Sequence, residues 1–231
     1  MFDLYIANKN YSSWSLRPWV LMKVLEIPFN EHLMPFEGGF GASHDVYTRF
    51  SPSGLVPCLV DRESDLAVWD SLAIVEYLAE QHANVWPSDK TARAWARSAT
   101  AEMHSGFGAL RDDCSMNCGV RVALNSLSTN LKADVNRLDA LWQQGLERFG
   151  GAFLAGERFS AVDAFYAPVA FRVQTFNLPL SEKSQAYVGR LLALPAMQAW
   201  YQAALEETWR EPMHEAETLK NGTLEVDYRT S

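Results

Sequence analysis

With 231 residues, 48% of them apolar and 12% aromatic, the chain has the material for one large domain or two small ones, which excludes an intrinsically disordered protein. A formal net charge of −8 at pH 7, with no basic run, argues against nucleic acid or an anionic membrane surface as the main partner. No apolar stretch approaches the roughly 18 residues of a membrane span, the first residues lack a charged-then-apolar leader, and Cys58, Cys114 and Cys118 make no disulfide framework, so a reducing cytoplasm is the expected setting.

In chain order, "FDLYIA" opens the sequence as a strand rich in β-formers. The turn "KNYSSWSLRPW" follows at 9–19, and from Pro18 the apolar residues Val20, Leu21, Val24 and Leu25 recur at helical spacing. Proline fits a first helical turn, which places the helix start near Ser15–Pro18 and leaves Ser12 and Ser13 in the turn before it. A second strand is expected over 29–36, then the glycine-rich loop "EGGFGASHD" and a short helix near 45–50. "VPCLVD" (56–61) and "LAVW" (66–69) are short strands joined by a polar turn, and a helix runs from Ser71 with Ile74, Val75, Leu78 and Ala79 on one face. The predicted order is β-α-β-α-β-β-α over residues 1–82.

After a Pro/Ser/Asp linker at 83–90 the pattern turns wholly helical, so a second domain is expected over 91–231. Helices are expected at 91–118, 121–148, 161–176, 184–193 and 196–209, with "RFGGAF" (148–153) as a break and an extended polar tail from about Asn221. The fold class is therefore α/β plus all-α.

Three stretches carry chemistry, and each also has a plainer reading. In "SGLVPCLVD" (53–61), a cis Val56–Pro57 bond would leave the Val56 backbone to pair with an extended peptide; an ordinary trans turn is the alternative. In "VWDSLAIVEYL" (68–78), Asp70 and Ser71 sit at a helix start able to hold a carboxylate and an ammonium, or serve simply as the cap. In "YSSWSLR", hydroxyls at a helix start can donate to a thiolate, or one serine can cap the orphan N–H groups. Three serines beside Trp14 and Arg17 exceed what a cap requires.

Taken together and in this order, "NYSSWSLRPW", "SPSGLVPCLVD" and "VWDSLAIVEYLAE" resemble the cytosolic glutathione transferase family over essentially the whole chain. "AGERFSAVDAFYAP" (155–168) is similar to that family's buried capping motif, with Ser160 as cap, Asp163 reaching back from N3 and Phe159 as staple. The resemblance implies a thioredoxin-like first domain that binds glutathione and a helical second domain that supplies the pocket for an electrophile. It implies that the Val56 backbone before Pro57 pairs with the cysteinyl unit and that Asp70 and Ser71 hold the γ-glutamyl end. The "SSWSLR" stretch is most like the zeta class. By that match Ser12 activates the thiol, Ser13 assists or substitutes, and Trp14, Ser15 and Arg17 line the glutathione site. Trp14 stands where the zeta pattern has cysteine, which counts against the cis–trans isomerase chemistry of that class.

His44 and Arg49 are the candidates for the glycine carboxylate. "GGFGAS" lacks a full dinucleotide pattern and reads as a loop beside the site. Without Cys-x-x-Cys before the first helix, thioredoxin-type disulfide exchange is excluded. Cys114 and Cys118, i, i+4 on one helical face with His104 upstream, lack the ligands for zinc, and no metal is expected. In "HSGFGALRDDC" (104–114) two glycines thin a helix wall, and Phe107, Arg111 and Cys114 are expected to face the first domain. Trp14, Phe107 and Arg111 are then the electrophile-pocket residues, with an interdomain or surface role as the alternative for Arg111. The expected function is thiol activation for attack on an electrophile by a homodimer joined through the first domain and the 91–118 helix. A glutathione-dependent isomerase and a non-catalytic binding protein of the same fold are the alternatives.

Overall fold

The computed structural model describes residues 1–37 and 43–229. Strand β1 (Phe2–Ile6) is central, parallel to β2 (Phe29–Leu33) and antiparallel to β3 (Cys58–Asp61), which pairs in turn with β4 (Leu66–Trp69). The sheet order β2-β1-β3-β4 with α1 (Ser13–Val24), α2 (His44–Tyr47) and α3 (Ser71–Gln81) is a small thioredoxin-like unit. Pro35 lies beyond β2, which stops at Leu33, and most of the glycine-rich loop, residues 38–42, lies outside the described residues.

Helix α1 begins earlier than Pro18 suggests. Ser12 is its N-cap, Ser13 its first residue, and Pro18 sits inside it. The serines are therefore the helix start itself rather than the approach to it. Leu16, Trp19, Val20, Leu21 and Met22 are all buried, because α1 is covered by the sheet on one side and by α7 on the other.

The helical unit starts with α4 (Lys90–Ser105), capped by Asp89, which accepts from Ala92 N at 2.8 Å. The long helix expected over 91–118 is broken. A Cβ on Gly106 would lie 2.7 Å from the Glu102 carbonyl oxygen, and Phe107 takes a left-handed conformation (φ 55°), so the chain restarts as α5 (Gly108–Asp113). The next expected helix is also corrected. Residues Val120–Leu124 form strand β5, and only Thr129–Phe149 is helix (α6), capped by Ser128. Helices α7 (Ala161–Phe176), α8 (Glu182–Leu192), α9 (Pro195–Glu206) and α10 (Pro212–Leu219) follow. The extended tail is strand β6 (Gly222–Asp227), antiparallel to β5.

One continuous apolar core joins the two units, from Leu4 and Leu16 through Phe165 and Phe171 to Trp142 and Trp200. At its centre α7 is buried along nearly its whole length and packs on both α1 and α4.

Candidate active site

The β1–α1 turn is fixed from both sides. Lys9 N and Asn10 N donate to the Glu207 carboxylate at 2.6 and 3.2 Å, and Trp200 Nε1 donates to the Lys9 carbonyl at 2.9 Å. These bonds hold residues 8–12 against the helical unit and bring the start of α1 to the floor of a cavity of about 740 Å³ between the two units. A helix start offers unpaired N–H groups and the positive end of the macrodipole, so an anion is favoured there.

Ser12, Ser13 and Trp14 line this cavity. The Ser12 hydroxyl donates to Ser15 Oγ at 2.7 Å, and Ser15 Oγ also accepts from Ala7 N at 3.2 Å. Ser13 Oγ accepts from Arg172 Nη2 at 3.5 Å. Ser15 is fully buried beneath the wall, so it supports the turn rather than lining the site as the resemblance implied.

Arg17 is likewise behind the wall. At 2% exposure it lies between the Trp14 ring (4.0 Å from guanidinium carbon to centroid) and the Phe165 ring (4.7 Å). Its Nη1 donates to Ser71 Oγ at 3.4 Å, and its Nε has no partner among the described residues. Burial holds its pKa well below the usual arginine value, and Arg111 and Arg172 push the same way against Asp70. Arg111 covers Trp14 at 4.9 Å and donates to the Met103 and His104 carbonyls.

The opposite wall comes from the sheet unit. Val56–Pro57 is a cis bond; both residues face the cavity, and the Val56 backbone makes no turn or loop hydrogen bond among the described residues. At the start of α3, Asp70 Oδ1 accepts from Leu72 N at 2.7 Å and Ala73 N at 3.3 Å, so Asp70 is the N-cap of that helix. Its other oxygen is 3.5 Å from His104 Nε2, and both Asp70 and the buried Ser71 line the cavity. His104 has its pKa lowered by burial and by Arg17 and Arg111, against the pull of Asp70.

Helix α10 closes one side. Tyr11 OH donates to Glu215 Oε1 at 2.6 Å, and Arg229 pairs with the same carboxylate. The His214 ring stacks on Tyr11 (5.1 Å) and Phe36 (4.9 Å), and its Nδ1 is 2.6 Å from Glu211 Oε2.

Of the expected site residues, Ser12, Ser13, Trp14, Val56, Pro57, Asp70, Ser71 and Arg111 share the one cavity. Phe107 does not. It is the 6%-exposed residue before α5, because the break at Gly106 destroys the continuous helical face on which it was placed. Cys114 is buried and Cys118 lies beyond α5, so the two share no helical face; Cys118 Sγ donates to the Lys9 carbonyl at 3.5 Å. On the side of His44 and Arg49 the wall is instead Tyr47 and Ser53, with His44 lying against Gly54. Tyr11, Arg172, His214 and Glu217 line the cavity without having been singled out. For Arg172 a signal existed, since it is the only charged residue after Asp163 in the apolar stretch of α7.

Residues 11–81 match the N-terminal domain model of glutathione S-transferases and residues 93–203 match the C-terminal domain model. The chain is 29% identical to the glutathione S-transferase GstB of Escherichia coli K12, over 86% of this chain and 91% of that protein. It is 26% identical to a probable maleylacetoacetate isomerase of Vibrio cholerae, over 85% and 94%. Among solved structures, the fold is shared with a Burkholderia glutathione transferase homologue with bound glutathione (TM-score 0.64, 20% identity, 88% and 97% covered). It is also shared with the theta-class enzyme of Xanthomonas axonopodis with glutathione bound (TM-score 0.62, 23% identity, 87% and 96% covered).

Proposed function

The chain belongs to the glutathione S-transferase family, as an enzyme with both of its domains, and from that premise we propose that it binds glutathione in the interdomain cavity and activates its thiol for attack on an electrophilic small molecule. The observation that carries the reading is the convergence, on one cavity, of the Ser12–Ser13 helix start, the Val56 backbone before a cis proline, and Asp70–Ser71 at a second helix start. In this arrangement the Val56 backbone pairs with the cysteinyl unit and Asp70–Ser71 receive the γ-glutamyl end. The sulfur then lies at the N-terminus of α1, where the dipole and a serine hydroxyl favour its anion. A shift of about two pH units in the thiol pKa, near 2.7 kcal/mol, suffices to populate the thiolate at neutral pH. The protein thus contributes nucleophile activation and positioning.

The reading includes the domain division 1–82 and 91–231, a cytoplasmic setting and a homodimer. The exposed Leu66 and Trp69 on β4 support a dimer joined through the first domain, and sedimentation of the purified chain tests it. Calorimetric titration with reduced glutathione tests the main reading, with the pH dependence of bound-thiolate absorbance followed in parallel. The expected result is binding with a thiol midpoint below the free value of about 8.5; no binding at millimolar glutathione overturns it.

A second reading, a glutathione-dependent cis–trans isomerase, is favoured by the relative named a probable maleylacetoacetate isomerase. Trp14 on the cavity wall opposes it, replacing a soft nucleophile by an apolar surface. Product analysis separates the two, because an isomerase returns glutathione unconsumed.

A further inference from the structure

Helix α7 delivers Arg172 to the cavity floor with 6% exposure. Among the described residues its two hydrogen bonds go to neutral oxygens: Nη1 donates to the Cys114 carbonyl and Nη2 to Ser13 Oγ. No carboxylate bonds this guanidinium among the described residues, so ion pairing does not account for its burial beside the cavity. The two serines of the turn differ in what their protons do. The Ser12 hydroxyl is turned inward to Ser15 Oγ at 2.7 Å. Ser13 Oγ is held as an acceptor, and its own O–H has no acceptor among the described residues while facing the cavity.

We infer that Arg172 is a positioning residue for thiol activation: by donating to the Ser13 oxygen it makes Ser13, not Ser12, the hydroxyl that donates to the glutathione sulfur. This rests on the glutathione reading above. The thiol releases its proton to solvent, the sulfur anion accepts from Ser13 O–H, Ser13 keeps its proton, and no covalent bond to the protein forms. A hydroxyl whose oxygen accepts from a cation is the stronger donor, and the buried positive charge favours the sulfur anion directly. The charged groups that act on Arg172 are Arg17 of α1, Arg111 of α5 and Glu217 of α10; Cys114 and Cys118 are its neighbouring thiols. Burial pushes the Cys114 thiol up to about 12 and Cys118 up as well, so neither adds charge at neutral pH.

The test is the pH dependence of thiolate absorbance for the full chain saturated with reduced glutathione. Ser13→Ala and Arg172→Met are each expected to raise the bound-thiol midpoint by about one unit, or about a tenfold fall in the acid dissociation constant of the bound thiol. The double variant is expected to move it no further than the larger single change, because the two residues act as one unit. Arg172→Lys, which keeps charge but not the planar fork, is expected to shift it less, and it carries the test should the methionine variant not fold. A wild-type midpoint in the Arg172 variants, or a larger shift in Ser12→Ala than in Ser13→Ala, overturns the inference while leaving the glutathione reading intact. Failure of the wild-type chain to bind glutathione removes that reading itself.

Discussion

The starts of α1 and α7 are both buried polar clusters rich in serine, and they are built on opposite plans. At α7 four donors converge on Asp163: Leu154 N at 3.0 Å, Tyr187 OH at 2.9 Å, Ser160 N at 2.9 Å and Ser160 Oγ at 3.4 Å. That carboxylate is saturated and sealed from solvent. At α1 the polar groups outnumber their partners among the described residues: Arg17 Nε is unpaired there and Ser13 O–H turns to a cavity. Buried polar groups are nearly always satisfied, so a saturated cluster is a structural fixture, and one with spare donors beside a cavity is equipped for a ligand.

The largest test of that contrast is Asp163→Ala. It strands Leu154 N, Ser160 N and Tyr187 OH in the core, and a loss of roughly 3–5 kcal/mol in urea unfolding is expected, with glutathione affinity of the folded fraction unchanged. A loss below about 1 kcal/mol would remove the distinction between the clusters.

The same residue predicts a pH dependence. Burial, set against its four hydrogen bonds, leaves the Asp163 carboxyl pushed up to about 6 from 3.8. The folded state therefore holds this proton at pH values where the unfolded chain has released it. Its contribution is fully present below pH 3.8 and declines as pH rises to about 6. Urea midpoints for Asp163→Asn should lack that decline between pH 4 and 6; a parallel decline in both proteins assigns it to other groups.

Arg17→Met sharpens the comparison from the other side. Removing an under-partnered buried charge is expected to leave stability unchanged or raise it by about 1 kcal/mol, while glutathione affinity falls because Ser71 and Trp14 lose their support. Destabilisation above about 2 kcal/mol would make Arg17 a structural residue like Asp163.

What the sequence made legible follows the same division. Ser160 and Asp163 are three residues apart and cap locally, so the motif was readable without the fold. So were β1, β4 and α3, whose periodicity lies within a single element. Strand β5 was not: its alternation of buried Val120 and Val122 around Arg121 spans five residues, and its partner β6 lies about a hundred residues on. Pro18 misled for a related reason, because packing of α1 against α7 outweighs the bond that proline removes. The cavity's outline was legible from the turn and the cis proline, but Arg172 and Tyr11 join it only through tertiary contacts, Arg172 with Ser13 and Tyr11 with Glu215.

Tyr11→Phe is expected to move the bound-thiol midpoint least, and it is the most discriminating variant. Tyr11 also carries a hydroxyl into the cavity wall next to Ser12, and by position alone it rivals the serines as the donor to sulfur. Its proton, however, is committed to Glu215 at 2.6 Å, and burial together with that carboxylate drives its pKa up. Glu215 keeps Arg229 and Asn117 when Tyr11 is truncated, so the cost to stability is expected to be about 1 kcal/mol, with faster amide exchange confined to α10. The bound-thiol midpoint should move much less than in Ser13→Ala. An equal movement would mean that a hydroxyl already engaged by a carboxylate can still serve the sulfur, and the distinction between spent and spare donors would not identify this site.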